Sequence, residues 1–376
     1  MKKLEARDIS MMVALAAIWL FFAIREPVFL SNRNLSLLSV ELAITATLAL
    51  GMLLVLLPGQ IDLSAGSGVG LIGAVAAVLV FWHGFPAPLA LLLATAAAVA
   101  IWSGMGALIA IEKIPAFIIT LGGLLVFRGL HWLTIKNQTV PIVEGSSSNL
   151  YSLLTTYYLP RTAGFVVGAL VIAALVASML RARARRKSYG FEVDDAELTF
   201  LKLFILAQLV VLLVLVTNGY RGVPLALVIL GLVATVVHQL ATNTPFGRYL
   251  YAIGGNEEAA VVSGVPVRAT VIGAYALMGA IVALTGFMQT AYSGASTSTV
   301  GSLMELDAVA ACVIGGTSLR GGRGTVLGVL FGALIMASLL NGMTLMAVSP
   351  EAKYIARGLV LALAVWMDLR LSRATV

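Results

Sequence analysis

The chain has 376 residues, 60% of them hydrophobic and only 11% charged, with a mean hydropathy of +1.02 and a net charge of +7. A soluble domain carries about 25% charged residues, so this chain lacks the polar cover a water-facing surface needs and reads as an integral membrane protein. Its apolar runs are continuous and about 18 to 23 residues long, the length a helix needs to cross a bilayer, which excludes the alternating strands of a membrane barrel.

Taken in chain order, the apolar runs predict an all-α protein of about twelve segments: 9–29, 36–57, 66–82, 87–111, 114–134, 162–180, 198–217, 224–242, 269–291, 306–319, 325–347 and 353–369. The first run follows MKKLEARD with no small-residue cleavage site and reads as a retained helix. Segment 306–319 is too short to cross comfortably and is a candidate half-helix. Pro58, Pro86, Pro88, Pro115, Pro160, Pro224, Pro266 and Pro350 punctuate the series. With the N-terminus inside and alternating spans, 16 of the 24 Lys and Arg fall on the inner side and 8 outside or within spans, so both termini are expected inside. The largest basic cluster, 181-RARARRK-187, reads as a topology anchor in an inner loop at 181–197. Residues 135–161 form the longest outer loop and 243–268 the second inner loop. The whole chain, 1–376, is then a single transmembrane domain.

Several chemistries find no support. There is no G-x-x-x-x-G-K-[ST] for phosphate, no H-E-x-x-H and no serine elbow. His83, His131 and His238 are far apart, and Cys312 stands alone in an apolar run, so no metal or disulfide set is expected. No span carries a ladder of arginines. The basic residues sit in short loops between spans, so nucleic-acid binding is not expected either.

Three polar stretches carry the functional reading. In 245-PFGRYLYAIGGNEEAAVVSGVPV-267, residues 256–263 suit a short helix. Asn256 can cap its start, Glu257 and Glu258 suit the positive end of its dipole, Ala259 and Ala260 leave a small face, and Gly264 can end it in the left-handed conformation. Such a helix is either an ordinary connection or something another protein grips. In 58-PGQIDLSAGSG-68, an acid and three glycines interrupt two apolar runs. Non-helical backbone at that depth needs protein or water to satisfy it. Asp62 or Ser64 is expected either to cap the next span or to line a wall or gate of a path. In 315-GGTSLRGGRGT-325, a tight turn with inside-marking Arg320 and Arg323 is the simpler reading than a phosphate site. Glu305 and Asp307 are placed near the outer face as helix-start acids, and Asn341 sits inside a span, where it needs a partner or lines the path.

Glu258-Ala259-Ala260-x-x-x-Gly264 resembles the E-A-A-x-x-x-G signature of the integral membrane subunits of ATP-binding-cassette importers. The stretches 59-GQIDLSAGS-67, 115-PAFIITLGG-123, 245-PFGRYLYAIGGN-256, 305-ELDAVAACVIGGTSLRGGRGT-325 and 341-NGM-343 resemble the ribose/xylose/arabinose permease branch, over about 36–369. Within it the chain is most similar to xylose permeases, through an extra pair of spans at 162–217 around a basic loop. Gln60 departs from the glycine usual there. The resemblance implies a type II architecture like the vitamin B12 importer, located in the bacterial inner membrane. It implies a permease and not an enzyme, forming the path for a monosaccharide, D-xylose first; ribose, arabinose or galactose, or a stand-alone secondary transporter, are the alternatives. Implied partners are a second copy of the chain, a cytoplasmic ATPase that holds ATP and Mg, and an outer sugar-binding protein. No cofactor is expected on this chain. Asn256, Glu257, Glu258, Ala259, Ala260 and Gly264 would form the coupling helix; Asp62, Ser64 and Asn341 would belong to the path or gate; Arg320 and Arg323 would mark the inner turn. A path that moves sugars is not expected to hold them tightly.

Overall fold

A computed structural model describes residues 6–145, 147–191, 193 and 195–373, with side chains for 11–366 apart from positions 146, 192, 194 and 196. Lys2 and Lys3 of the charge count lie outside the described residues, as do the side chains of Arg7, Arg370 and Arg373.

In chain order the helices are α1 (Ala6–Arg25), α2 (Asn32–Leu56), α3 (Ala65–Phe81), α4 (Ala87–Ile111), α5 (Ala116–Thr134), α6 (Leu150–Thr156), α7 (Arg161–Ser188), α8 (Ala196–Asn218), α9 (Leu225–Asn243), α10 (Pro245–Gly255), α11 (Glu257–Val262), α12 (Val267–Ser293), α13 (Met304–Ile314), α14 (Val326–Leu345) and α15 (Pro350–Arg373). Eight of them, α2, α4, α5, α7, α8, α9, α12 and α14, are long and apolar enough to cross a membrane, with shorter apolar helices at Met11–Arg25 and Ala65–Phe81. The only sheet among the described residues is a two-residue pairing of β1 (Val140–Pro141) with β2 (Ala295–Ser296). It pins the long 135–161 connection to the end of α12.

The core is built on α2 and α12. In its best apolar window α2 is 83% buried and α12 67%, whereas α7 and α8 bury only 11% and 6%. Helices that face lipid gain nothing from apolar burial against each other, so close association relies on small residues that let backbones meet. A β-carbon at Gly279 would press on the Ala98 carbonyl, and one at Gly286 on the Val69 carbonyl, which is how α12 lies flush against α4 and α3. The peripheral pair α7–α8 falls on the two segments expected at 162–180 and 198–217. It differs in one respect: 181–187 is not loop but the last two turns of α7, which runs on to Ser188.

Two kinds of ends can be told apart. Residues 57–59, 254–255 and 320–322 meet, and Lys113 contacts Glu257; we call this the basic end. Asn32, the 157–161 segment and the 218–224 turn meet at the far end, where Gly219 abuts the Asn32 side chain and Leu159 N–H donates to the Val223 carbonyl at 2.9 Å.

Segment 306–319 is indeed short. α13 has 11 residues, about 16 Å of helix, and Gly315 and Gly316 end it before the glycine-rich turn. It starts in the interior, where Gly301 lies against Gly66 of α3. This corrects the placing of Glu305 and Asp307 near a surface. Both are 5% exposed; Glu305 packs on Gly66, and Asp307 pairs with Arg357 of α15 at 3.3 Å.

Candidate functional site

The sequence-predicted residues fall in three places. The first is α11. Asn256 has extended backbone and its Oδ1 accepts the Ala259 N–H at 2.9 Å, which satisfies one of the free donors at the helix start. At the other end Gly264 has φ +78°, Val265 N–H donates to the Ala260 carbonyl and Gly264 N–H to the Val261 carbonyl, both at 3.0 Å. This is the paired 6→1 and 5→2 closure that a left-handed glycine permits. Only Ala260 turns inward, at 4% exposure. Glu258, Ala259, Val261 and Val262 face out, and Val262 is 89% exposed, an apolar side chain on a polar loop with nothing of its own chain to cover it. Glu257 reaches back to Lys113 at 2.6 Å across a cavity of ≈ 140 Å³ that Gln60 and Val267 also line.

α11 is not free to move alone. It continues α10, and α10 is held by backbone. The Gly322 N–H donates to the Leu57 carbonyl at 2.9 Å, and a β-carbon at Gly254 would overlap both of those groups. Tyr251 Oη–H donates to the Gly324 carbonyl at 2.8 Å. Gly321 lies against Gly254 and the N–H of Gly59. The 58–64 turn, the end of α10 and the glycine-rich turn are therefore one junction, made where three backbones touch. Arg320 and Arg323 stand exposed on it. Gly59, Gly321 and Gly322 carry the positive φ values of the junction and Gln60 does not, so the departure at Gln60 leaves the bend intact.

The second place is Asp62. It is fully buried, and its Oδ1 accepts the Ser64 N–H at 2.8 Å and the Ser64 hydroxyl at 2.6 Å, while Oδ2 accepts the Trp102 indole N–H at 2.7 Å. Of the two predicted caps, Ser64 occupies the N-cap position of α3 but caps nothing with its side chain, and Asp62 does the local bonding. The turn is sunk into the protein. Ser64 lies against Gly123, seven residues up α5, or about 10 Å from that helix's start. Thr120 Oγ1–H adds a bond to the Ile61 carbonyl at 3.1 Å.

The third place surrounds Asn341, at the far end of α14. Its Oδ1 accepts the Asn34 amide at 2.9 Å, and its own Nδ2–H donates to Glu41 Oε2 at 3.2 Å. Asn34 is anchored in turn to the Phe29 carbonyl at 2.9 Å. Tyr292 Oη–H donates to Glu41 Oε1 at 2.8 Å. Glu41 is the residue that reading the sequence missed. The signal was present: an acid inside the second apolar run, where an ionisable side chain is costly and marks function by default. Asp62, Asn341 and α11 do not meet; they lie at mid-depth, at the far end and at the basic end.

Comparison with known proteins places this arrangement. Residues 34–365 match the family model described as branched-chain amino acid transport system / permease component. The chain is 41% identical over 369 residues to the xylose transport system permease protein XylH of Escherichia coli (strain K12), covering 98% of this chain and 93% of that one. It is 38% identical over 371 residues to XylH of Haemophilus influenzae, covering 98% and 97%, and 33% identical over 347 residues to the ribose import permease protein RbsC of Bacillus subtilis, covering 92% and 88%. No solved structure matches. With a family match over most of its length, with relatives named as xylose and ribose permeases, and with eight apolar helices long enough to span, the chain belongs to the branched-chain amino acid transport system permease component family as a multi-pass permease subunit and not an enzyme.

Proposed function

We propose that this chain is the membrane subunit of an ATP-driven importer and forms the path for a monosaccharide, D-xylose, across the bacterial inner membrane, with both termini in the cytoplasm. α11 is its coupling helix. A second copy of the chain completes the path, a cytoplasmic ATPase supplies ATP and Mg chemistry, and a binding protein delivers sugar to the far end. About twelve segments, counting the half-helix α13, give the type II arrangement.

The observation that carries this reading is α11 itself. A helix of six residues, capped at both ends and seated by Ala260, exposes Val262 and Val261 on the basic end. An exposed apolar pair on a rigid, small-faced element fits a groove in another protein. The backbone junction at Gly254, Gly322 and Leu57 supplies a stiff connection from that helix to α2, the most buried helix of the core. Xylose is favoured over ribose because the XylH relatives are more similar than RbsC and because α7–α8 are present.

The test is co-purification. The tagged chain, expressed with its genomic neighbours and extracted in mild detergent, is expected to bring an ATPase whose activity rises with sugar-loaded binding protein, D-xylose giving the largest rise. A chain that purifies alone and moves solute in liposomes down an ion gradient would refute the proposal.

A further inference from the structure

The proposed function leaves Glu41 unexplained. It lies nine residues into α2, about 14 Å along the helix from its far-end start. Its two recorded partners are neutral, the Tyr292 hydroxyl and the Asn341 amide. The Lys353 ammonium donates to Thr344 Oγ1 at 3.0 Å, and no ion pair to Glu41 is formed among the described residues. A carboxylate offers about four lone-pair sites, and these two bonds fill two. Asn34 and Asn341 are buried, Glu41 is partly buried and Tyr292 is 39% exposed.

A structural acid in an apolar helix would be closed off by its partners. This one is held in a fixed orientation by three helices, α2, α12 and α14, with acceptor capacity left over. Beside it is the Tyr292 ring, whose hydroxyl donates to it, and the far end also holds a second aromatic group. Tyr158 meets the Tyr220 ring edge-on at 6.2 Å, with the Arg221 guanidinium 5.9 and 5.2 Å from the two ring centroids. One oriented acceptor, one amide and the exposed Tyr292 ring make a set that fits a neutral polyol: hydroxyls donate to the carboxylate, and the C–H face lies on the ring. The set ill suits a metal ion, which wants more oxygen ligands than one side chain gives.

We propose that Glu41, positioned by Asn341 and Tyr292, is the hydroxyl-accepting station of the sugar path at its far end. This rests on the importer reading. A single carboxylate with two open acceptor positions holds a sugar weakly, as a path must, yet distinguishes sugars by which hydroxyls they can donate.

The test uses the complete transporter, permease with its ATPase, in liposomes, with saturating sugar-loaded binding protein so that the delivery step does not set the ratio. Uptake per assembled complex is measured for D-xylose and for its monodeoxy analogues. The wild type is expected to prefer xylose over at least one analogue by about tenfold or more, because a site built to pair a hydroxyl rejects the ligand that lacks it. Glu41→Gln, similar in shape but with one acceptor oxygen and no charge, is expected to bring that ratio close to one. Tyr292→Phe, which keeps the ring and frees the carboxylate to reorient, is expected to narrow it about two- to fivefold. Variants that lower uptake of all sugars equally, or leave the ratio at its wild-type value, would overturn the assignment of Glu41 while the importer stands. A wild-type complex that moves no sugar at all would overturn the importer reading, and this proposal with it.

Discussion

Replacing Asp62 by alanine decides between the two roles its position allows. Its carboxylate accepts three hydrogen bonds in a fully buried turn: Ser64 N–H at 2.8 Å, Ser64 Oγ–H at 2.6 Å and Trp102 Nε1–H at 2.7 Å. In Asp62→Ala the serine hydroxyl can rotate to another acceptor, but the Ser64 amide and the indole N–H cannot. Each buried donor left unpaired costs about 1–3 kcal/mol, giving about 2–6 kcal/mol in all. Asp62→Asn keeps an acceptor for Ser64 but turns an amide N–H toward the indole N–H, so about 1–3 kcal/mol is expected. The assay is thermal unfolding of the detergent-purified chain. The order of midpoints should be wild type, then Asn, then Ala. Trp102→Phe should be destabilising in the wild type and less so on top of Asp62→Ala, because the partner is already gone. Asp62→Ala with wild-type thermal stability, full assembly and no transport would refute the structural reasoning and return Asp62 to the gate.

Three further outcomes are expected. Gly264→Trp should leave the chain in the membrane yet abolish ATPase co-purification: φ +78° strains any β-carbon by about 1–2 kcal/mol, no heavy atom lies within 4 Å of a β-carbon there, and the bulk projects from the end of α11, the proposed docking helix. Gly254→Ala should uncouple and destabilise together, seen as a lower midpoint and lost sugar-stimulated ATP hydrolysis, because its β-carbon overlaps the Leu57 carbonyl and the Gly322 N–H that tie α10 to the core. Lys113→Ala should shift stability by no more than about 1 kcal/mol, since its pair with Glu257 is 60% and 43% exposed and such pairs are screened; a large drop in the unfolding midpoint would contradict the surface assignment.

Much was legible in the sequence. An 11% charged chain with long apolar runs can only be a membrane helix bundle, because the fold must satisfy every backbone group internally. The caps of α11 were readable too, since Asn256 and Gly264 act within a few residues of themselves and need no tertiary context. What the tertiary structure alone decided depends on residues distant in the chain. Asp62 became a buried strut because Trp102, forty residues on, turns its indole toward it. Glu305 and Asp307 moved from a supposed surface to the interior because α13 begins against Gly66 and beneath Arg357. The link from α11 to α2 is carried by glycine backbones that have no side-chain signature to read. Asn341 found its partners in Asn34 and Glu41, some 300 positions away. Local sequence sets where helices start and stop; which polar groups inside them meet is set by packing.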